Sequence, residues 1–310
     1  MSITLSSATE HHRRCTALAA CGLDPALPMT RAPSYANEVW LGDELVLRIN
    51  FRGVGRLARE GRIASRVPAE ARYPEILAVG HDGEIEWMLT RRLPGIDLGR
   101  AWPSLTTAQR ERAIHQLAGA LAAIHATPCD GIPDDIRPPH TLPLAPLLEL
   151  IDEVIAPHDR AIAELATEWT LARWPAFDDA DRGLVHGDPH FENVLWDGER
   201  VAALLDLEWS RPSWIHADLE ILLAVAEMPA LFAAEDREHA VVAADYADIP
   251  RWLRAARPDW FEHPRLVERL ELLFLSRTLG HFEDDPEGGA AFRWEHVAQV
   301  LAGESFVSRL

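Results

Sequence analysis

Apolar and polar positions change their period about a third of the way along the chain. Before that point, Glu38–Leu41, Glu44–Asn50, Ile76–His81 and Glu84–Thr90 are short runs rich in β-branched and aromatic residues, which predicts strands. Gly42-Asp43 and Asp82-Gly83 supply the turns of two hairpins. Residues 7–21 read as a helix with Ser7 and Glu10 at capping-box spacing and Gly22 as its stop, and Arg56–Val67 reads as a helix between the hairpins. Beyond Leu98 the spacing turns helical. Ile114, Leu117, Leu121 and Ile124 recur at three- and four-residue intervals along Thr106–His125, as one buried helix face requires. Pro128–Pro146 reads as an irregular connection, and Leu147–Arg173 as a helix. Leu219–Ala234, Glu235–Tyr246, Ile249–Arg254, Leu266–Phe282 and Ala290–Leu301 complete a helical remainder. The pattern predicts an α+β fold in two lobes, residues 1–93 and 94–310, with a cleft between them.

One stretch interrupts the helical pattern. In GLVHGDPHFENVLWDGERVAALLDLE, residues 183–208, two strand-like segments, Asn193–Trp196 and Val201–Leu205, flank the turn Asp197-Gly198-Glu199-Arg200. A hairpin of that length returns Asp206 to the loop that holds Asp188 and Asn193. Three oxygen-bearing side chains then converge, which suits phosphoryl transfer: a carboxylate facing an attacking hydroxyl, and two oxygen ligands for Mg²⁺ on nucleotide phosphates.

At these residues the chain resembles the aminoglycoside phosphotransferase family, the small-molecule branch of the protein-kinase-like fold. The match reads HGDPHFEN followed by DLE. The resemblance implies Asp188 as the catalytic base or hydroxyl-orienting group, Asn193 and Asp206 as metal ligands, and His186 as a brace for the loop. It further implies that Asp218, in SWIHADLE, anchors the catalytic loop. His190 is expected to stabilise the loop, and Glu208 is read as a solvated carboxylate at a strand end, with a role near the metal site as the alternative.

In the first lobe, the positions that match the kinase pattern for holding the donor's phosphates are Arg48 and Glu60. Kinases place Lys at the first of these. A guanidinium is permanently charged and bonds phosphate bidentately, so the electrostatic role survives the exchange. Pro33-Ser34-Tyr35-Ala36-Asn37 lacks glycine yet resembles the family's phosphate-covering loop, with Ser34 and Asn37 as contacts. The purine-binding hinge falls at Thr90, Arg91 and Leu93. The expected cofactors are Mg²⁺ and ATP or GTP.

Composition then removes alternatives. All 30 basic residues are Arg. A chain without Lys can form neither a Schiff base nor a Walker-A phosphate contact. The net charge of −19 argues against nucleic acid and anionic membranes as partners. Three scattered thiols, no membrane-length apolar run and no signal-peptide core predict a cytoplasmic enzyme. The expected partner is a small hydroxylated substrate, seated below Asp188 against the C-terminal helices. Glu283-Asp284-Asp285 and Glu287 there suit ammonium groups, and Trp209, Trp214, Trp260, Phe282 and Trp294 suit apolar parts. Antibiotic inactivation is the commonest role the resemblance implies, with choline, homoserine and sugar kinases as alternatives. Two rivals remain: a nucleotide-binding pseudokinase without activity, and a nicotinamide-dependent enzyme resting on Gly53-Val54-Gly55-Arg56-Leu57-Ala58 as a dinucleotide fingerprint.

Overall fold

The structure is a computed structural model that describes residues 7–34, 37–51, 55–83, 85–132, 143–234, 236–284 and 290–310, without the side chains of 7, 8, 282–284 and 290–292. The N-terminal lobe is a five-stranded sheet of β1 (Thr30–Ala32), β2 (Glu38–Leu41), β3 (Leu45–Asn50), β4 (Ile76–Asp82) and β5 (Ile85–Arg91), ordered β1-β2-β3-β5-β4. Every neighbouring pair is antiparallel, and Arg48 pairs with Val39 on one side and Met88 on the other. Helix α1 (Ser7–Ala20) buries Ala17 and Leu18 against Leu47, Ile49, Trp87 and Leu89. Helix α2 (Arg56–Ala64) follows β3 and buries Leu57, Arg59, Glu60 and Ile63. Because β3 lies in an antiparallel sheet, Gly55 opens no βαβ unit, and the nicotinamide reading loses its structural context. Gly53 and Val54 lie outside the described residues.

The remainder runs β6 (Ile96–Asp97), α3 (Leu98–Ala101), α4 (Thr107–His125), α5 (Leu144–Val154), α6 (Arg160–Arg173), β7 (Arg182–Val185), β8 (Val194–Trp196), β9 (Val201–Leu204), β10 (Arg211–Trp214), α7 (His216–Glu227), α8 (Ile249–Ala256), α9 (Leu266–Asp284) and α10 (Ala290–Ala302). Helix α4 starts at a capping box between Thr106 and Gln109 and buries Ile114, Leu117, Leu121 and Ile124. Burying such side chains stabilises by about 1.5–3 kcal/mol each. Residues 216–225 of α7 are buried on all sides, which places that helix in the middle of the lobe.

Three expectations need correction. The single helix over 147–173 is two, α5 and α6, because Pro157 cannot donate to a helical ladder and Asp159 caps the second start through the N–H groups of Ala161 and Ile162. Residues 236–246 form short 3₁₀ turns, not a helix; Val241 packs against the core while Val242 is exposed. Strand β10 was not expected from Arg211-Pro212-Ser213-Trp214; its Pro212 is tolerated in a two-stranded ribbon with β7.

Candidate active site

The hairpin β8–β9 does what its spacing predicts. Strand β8 begins directly after Asn193, β9 returns antiparallel to it, and the N–H of Leu205 donates to the Asn193 carbonyl at 2.7 Å. Asp206 therefore emerges beside Asn193. Its φ of 64° lies in the left-handed region, which Asp tolerates better than most residues.

The loop between β7 and β8 is fixed by buried polar bonds. Asp218, fully buried on α7, accepts from the N–H of His186 at 2.9 Å, the N–H of Gly187 at 2.8 Å and Nε2 of His125 at 2.8 Å. Burial would raise the Asp218 carboxyl, but His125 and the loop donors outweigh it and hold it below the ordinary range. His186 is the expected brace: Nε2–H donates to the Leu205 carbonyl at 2.9 Å, and Nδ1 accepts the Asp188 N–H at 3.3 Å. Gly187 has a φ of 90°, and a Cβ there would meet the Trp209 carbonyl oxygen at 2.4 Å. Only glycine fits both constraints.

Asn193 donates through Nδ2 to the Asp188 carbonyl at 2.9 Å and to Asp188 Oδ2 at 3.1 Å. Its amide oxygen then has no hydrogen-bond partner among the described residues. His190 Nε2 lies 3.3 Å from Asp188 Oδ2. Burial would lower this imidazole, yet Asp188, Glu192 and Asp206 raise it overall.

Across the seam, Arg48 donates from Nη1 to Glu60 Oε1 at 2.7 Å and from Nη2 to Asp206 Oδ1 at 3.1 Å. The expected Arg48–Glu60 pair is therefore present, and the same guanidinium reaches the hairpin. Burial pushes the Glu60 carboxyl up while Arg48 pulls it down, and Arg48 stays charged at any working pH. Glu208 is pushed up to about 7, first by burial and then by Asp206. Asp206, Glu208 and Glu60 thus gather three carboxyl groups around one guanidinium. Asp206 Oδ2 and the Asn193 amide oxygen are hard donors of the kind Mg²⁺ takes, so the set fits that ion.

The other expected contacts are more dispersed. Asn37 is buried and Ser34 exposed, while Tyr35 and Ala36 lie outside the described residues. Thr90 is buried in β5. The Arg91 N–H donates to the Glu75 carbonyl and its guanidinium to the Glu75 carboxylate. The Arg92 N–H donates to Glu44, so Leu93 holds the hinge N–H without a partner among the described residues.

Of the aromatic residues expected below Asp188, Trp260 is core, and Trp214 stacks on Phe177 at 4.1 Å between ring centres. Arg56 lies over the Trp209 ring, and Trp294 packs edge-on against His158. Asp285 and Glu287 lie outside the described residues, as do the side chains of Phe282, Glu283 and Asp284. His281 lies within electrostatic reach of Asp188, Arg277 and Arg293; burial and then the two guanidinium groups hold it down at about 4. Arg277 makes a bidentate pair with buried Glu220 and packs over Phe232, whose ring faces His190. Sequence reading missed His125, Tyr73 and His281. A histidine closing the buried face of α4 was the one visible sign of the first.

A small antiparallel sheet joined to a helical lobe, with a loop carboxylate, an amide and a strand-terminal carboxylate meeting a sheet-borne guanidinium, defines a kinase-like phosphotransferase of the small-molecule branch. The chain belongs to the phosphotransferase enzyme family, whose profile matches residues 28–260. A homoserine kinase from Methylobacterium sp. (strain 4-46) is 32% identical over 170 residues, which span 52% of this chain and about half, 48%, of that protein. Among solved structures, a thermostable mutant of aminoglycoside phosphotransferase APH(4)-Ia with ADP and hygromycin B superposes with a TM-score of 0.63 at 17% identity, covering 94% of this chain and 98% of that one. The streptomycin–ATP complex of APH(2″)-IIa gives 0.64 at 13% identity, covering 97% of both. A choline/ethanolamine kinase family protein from Mesorhizobium loti gives 0.61 at 18% identity, covering 97% and 98%. At these identities the structural likeness concerns the fold. Among the described residues, no helix is long and apolar enough to cross a membrane.

Proposed function

We propose that the protein is an ATP- or GTP-dependent O-phosphotransferase acting on one hydroxyl of a small molecule, in the cytoplasm, with lobes that divide near residue 93. Asp188 orients the acceptor hydroxyl and takes its proton. Asn193 and Asp206 hold Mg²⁺, which when bound offsets charge on the donor's phosphates. Arg48, fixed by Glu60, binds those phosphates, Ser34 and Asn37 border them, and Thr90–Leu93 hold the purine through the backbone. Most of the rate gain comes from alignment and fixed charge, because phosphoryl transfer asks little covalent help. The observation that carries this reading is that Asn193 bonds Asp188, Arg48 bonds Asp206, and the N–H of Leu205, the residue before Asp206, bonds the Asn193 carbonyl.

For the acceptor, the likeness to a homoserine kinase supports a small amino-acid-like alcohol. The antibiotic reading keeps the same reaction with a larger, cationic acceptor. A screen of hydroxy amino acids, choline, sugars and hydroxylated antibiotics for ATP- and GTP-dependent phosphorylation decides between them. In that assay Asp188→Asn is expected to keep nucleotide binding and to lose about 10²–10⁴ in turnover. Unchanged turnover, or no nucleotide consumption with any acceptor by the native protein, removes the proposal and leaves a binding protein.

A further inference from the structure

Glu60 is the junction of the two lobes. Its side chain is fully buried, and a single oxygen, Oε1, accepts three hydrogen bonds: from Arg48 Nη1 at 2.7 Å, from the Tyr73 hydroxyl at 2.6 Å and from the Leu207 N–H at 3.1 Å. Its other oxygen, Oε2, is buried without a hydrogen-bond partner among the described residues. A buried carboxylate with one oxygen unmet is oriented only by the donors on the other, and rotation about its last bond exchanges the two. Of the three donors, Arg48 is the group to be positioned and Leu207 follows Asp206. Tyr73 is the remaining one, and it belongs to neither.

The backbone that carries Tyr73 is itself fixed to the hairpin of Asp206. Arg72 has a φ of 57°, a conformation a long side chain adopts only when its surroundings impose it. Its Nη1 donates to the Val201 carbonyl at 2.7 Å, and its own carbonyl accepts the Leu204 N–H at 3.3 Å. Both partners lie on β9, the strand that leads to Asp206. Hairpin, Arg72, Tyr73, Glu60 and Arg48 thus form one chain of contacts that closes on Asp206.

We propose that Tyr73 is a positioning residue for Arg48, acting through Glu60, and that Arg72 indexes it to the strand that presents Asp206. This rests on the reading of Arg48 as a phosphate-binding group. The site so described sets the distance between the phosphate-binding guanidinium and the metal-binding hairpin through a tyrosine whose hydroxyl bonds Glu60 and, among the described residues, neither Arg48 nor Asp206.

The test is equilibrium titration of the full chain with Mg·ATP, together with urea unfolding midpoints. Arg48→Ala is expected to weaken Mg·ATP binding at least tenfold. Tyr73→Phe, which removes one oxygen and keeps the ring, is expected to weaken it about three- to tenfold, the size of one ordinary hydrogen bond. In a Glu60→Gln background, Tyr73→Phe is expected to add less than about twofold, because the intermediary is already lost. Arg72→Gly keeps the left-handed turn and removes the guanidinium, and it serves as the second variant if Tyr73→Phe does not fold; about twofold or more weaker Mg·ATP binding is expected. A Tyr73 that only supports packing would lower the urea midpoint and weaken binding equally in both backgrounds. That result, or native Mg·ATP affinity in Tyr73→Phe or in Arg72→Gly, overturns the positioning role. Native affinity in Arg48→Ala overturns instead the reading on which it rests.

Discussion

At the scale of residues, most of the charged machinery announces itself locally. Asp188, Asn193 and Asp206 are separated by a loop and one hairpin, so their meeting follows from turn length alone. Histidine protonation gives a test at the same scale. His216, buried beside Arg269 and His263, is held down at about 4, first by burial and then by Arg269, with Asp181 pulling the other way. A histidine whose folded pKa is depressed binds its proton more readily when unfolded. Its penalty is therefore absent above about pH 6.5 and grows as the pH falls towards 4. Urea midpoints measured from pH 7.5 to 4.5 should fall across that window, and His216→Asn should flatten the fall by on the order of 1–3 kcal/mol. Asp218 acts in the opposite sense: its carboxyl is held low, so its stabilisation persists until the pH drops below roughly 4. An identical slope in His216→Asn would show that the imidazole is not kept neutral. The residues that sequence reading missed share a physical cause. His125 meets Asp218 across 93 positions, and Tyr73 meets Glu60 with a helix end and a left-handed turn between them. No local periodicity encodes either meeting.

At the scale of elements, β2 to β5 and helices α4 and α9 were legible, α4 because one face is buried and the period is clean, whereas the three-residue edge strand β1 (Thr30–Ala32) was too short to be read. Boundaries failed where a polar cap or a proline cut an apolar run. Asp159 divides one expected helix into α5 and α6, and Met228-Pro229 ends α7 well before the expected Ala234. Strand β10 was illegible because its pairing with β7 comes from the meeting of distant segments and not from propensity. The loop between β7 and β8 offers a test at this scale. Gly187→Ala must either push the Trp209 carbonyl away or leave the positive φ, and both displace Asp188 next to it. The variant is expected to lose phosphorylation by at least about tenfold and stability by at least about 1 kcal/mol. Full activity with an unchanged unfolding midpoint would mean that the loop accommodates the methyl group.

At the scale of the whole molecule, the net charge is −19 and every basic residue is Arg, and the guanidinium groups of Arg48 and Arg277 are each held by carboxylates. The ties across the seam between sheet and hairpin have a larger consequence. Arg48 meets Asp206, the Leu207 N–H meets Glu60, buried Arg59 meets the Glu208 carbonyl, and Arg72 meets both Val201 and Leu204. Melting either half alone would strand a buried ion or an unmet donor in the other, a penalty of several kcal/mol. Chains of 310 residues commonly come apart in stages. This one is expected to give a single endotherm in scanning calorimetry, with van't Hoff and calorimetric enthalpies in agreement, and any nucleotide that binds should move that peak undivided. Two resolved peaks would mean that these cross-ties are too weak to make the halves cooperative.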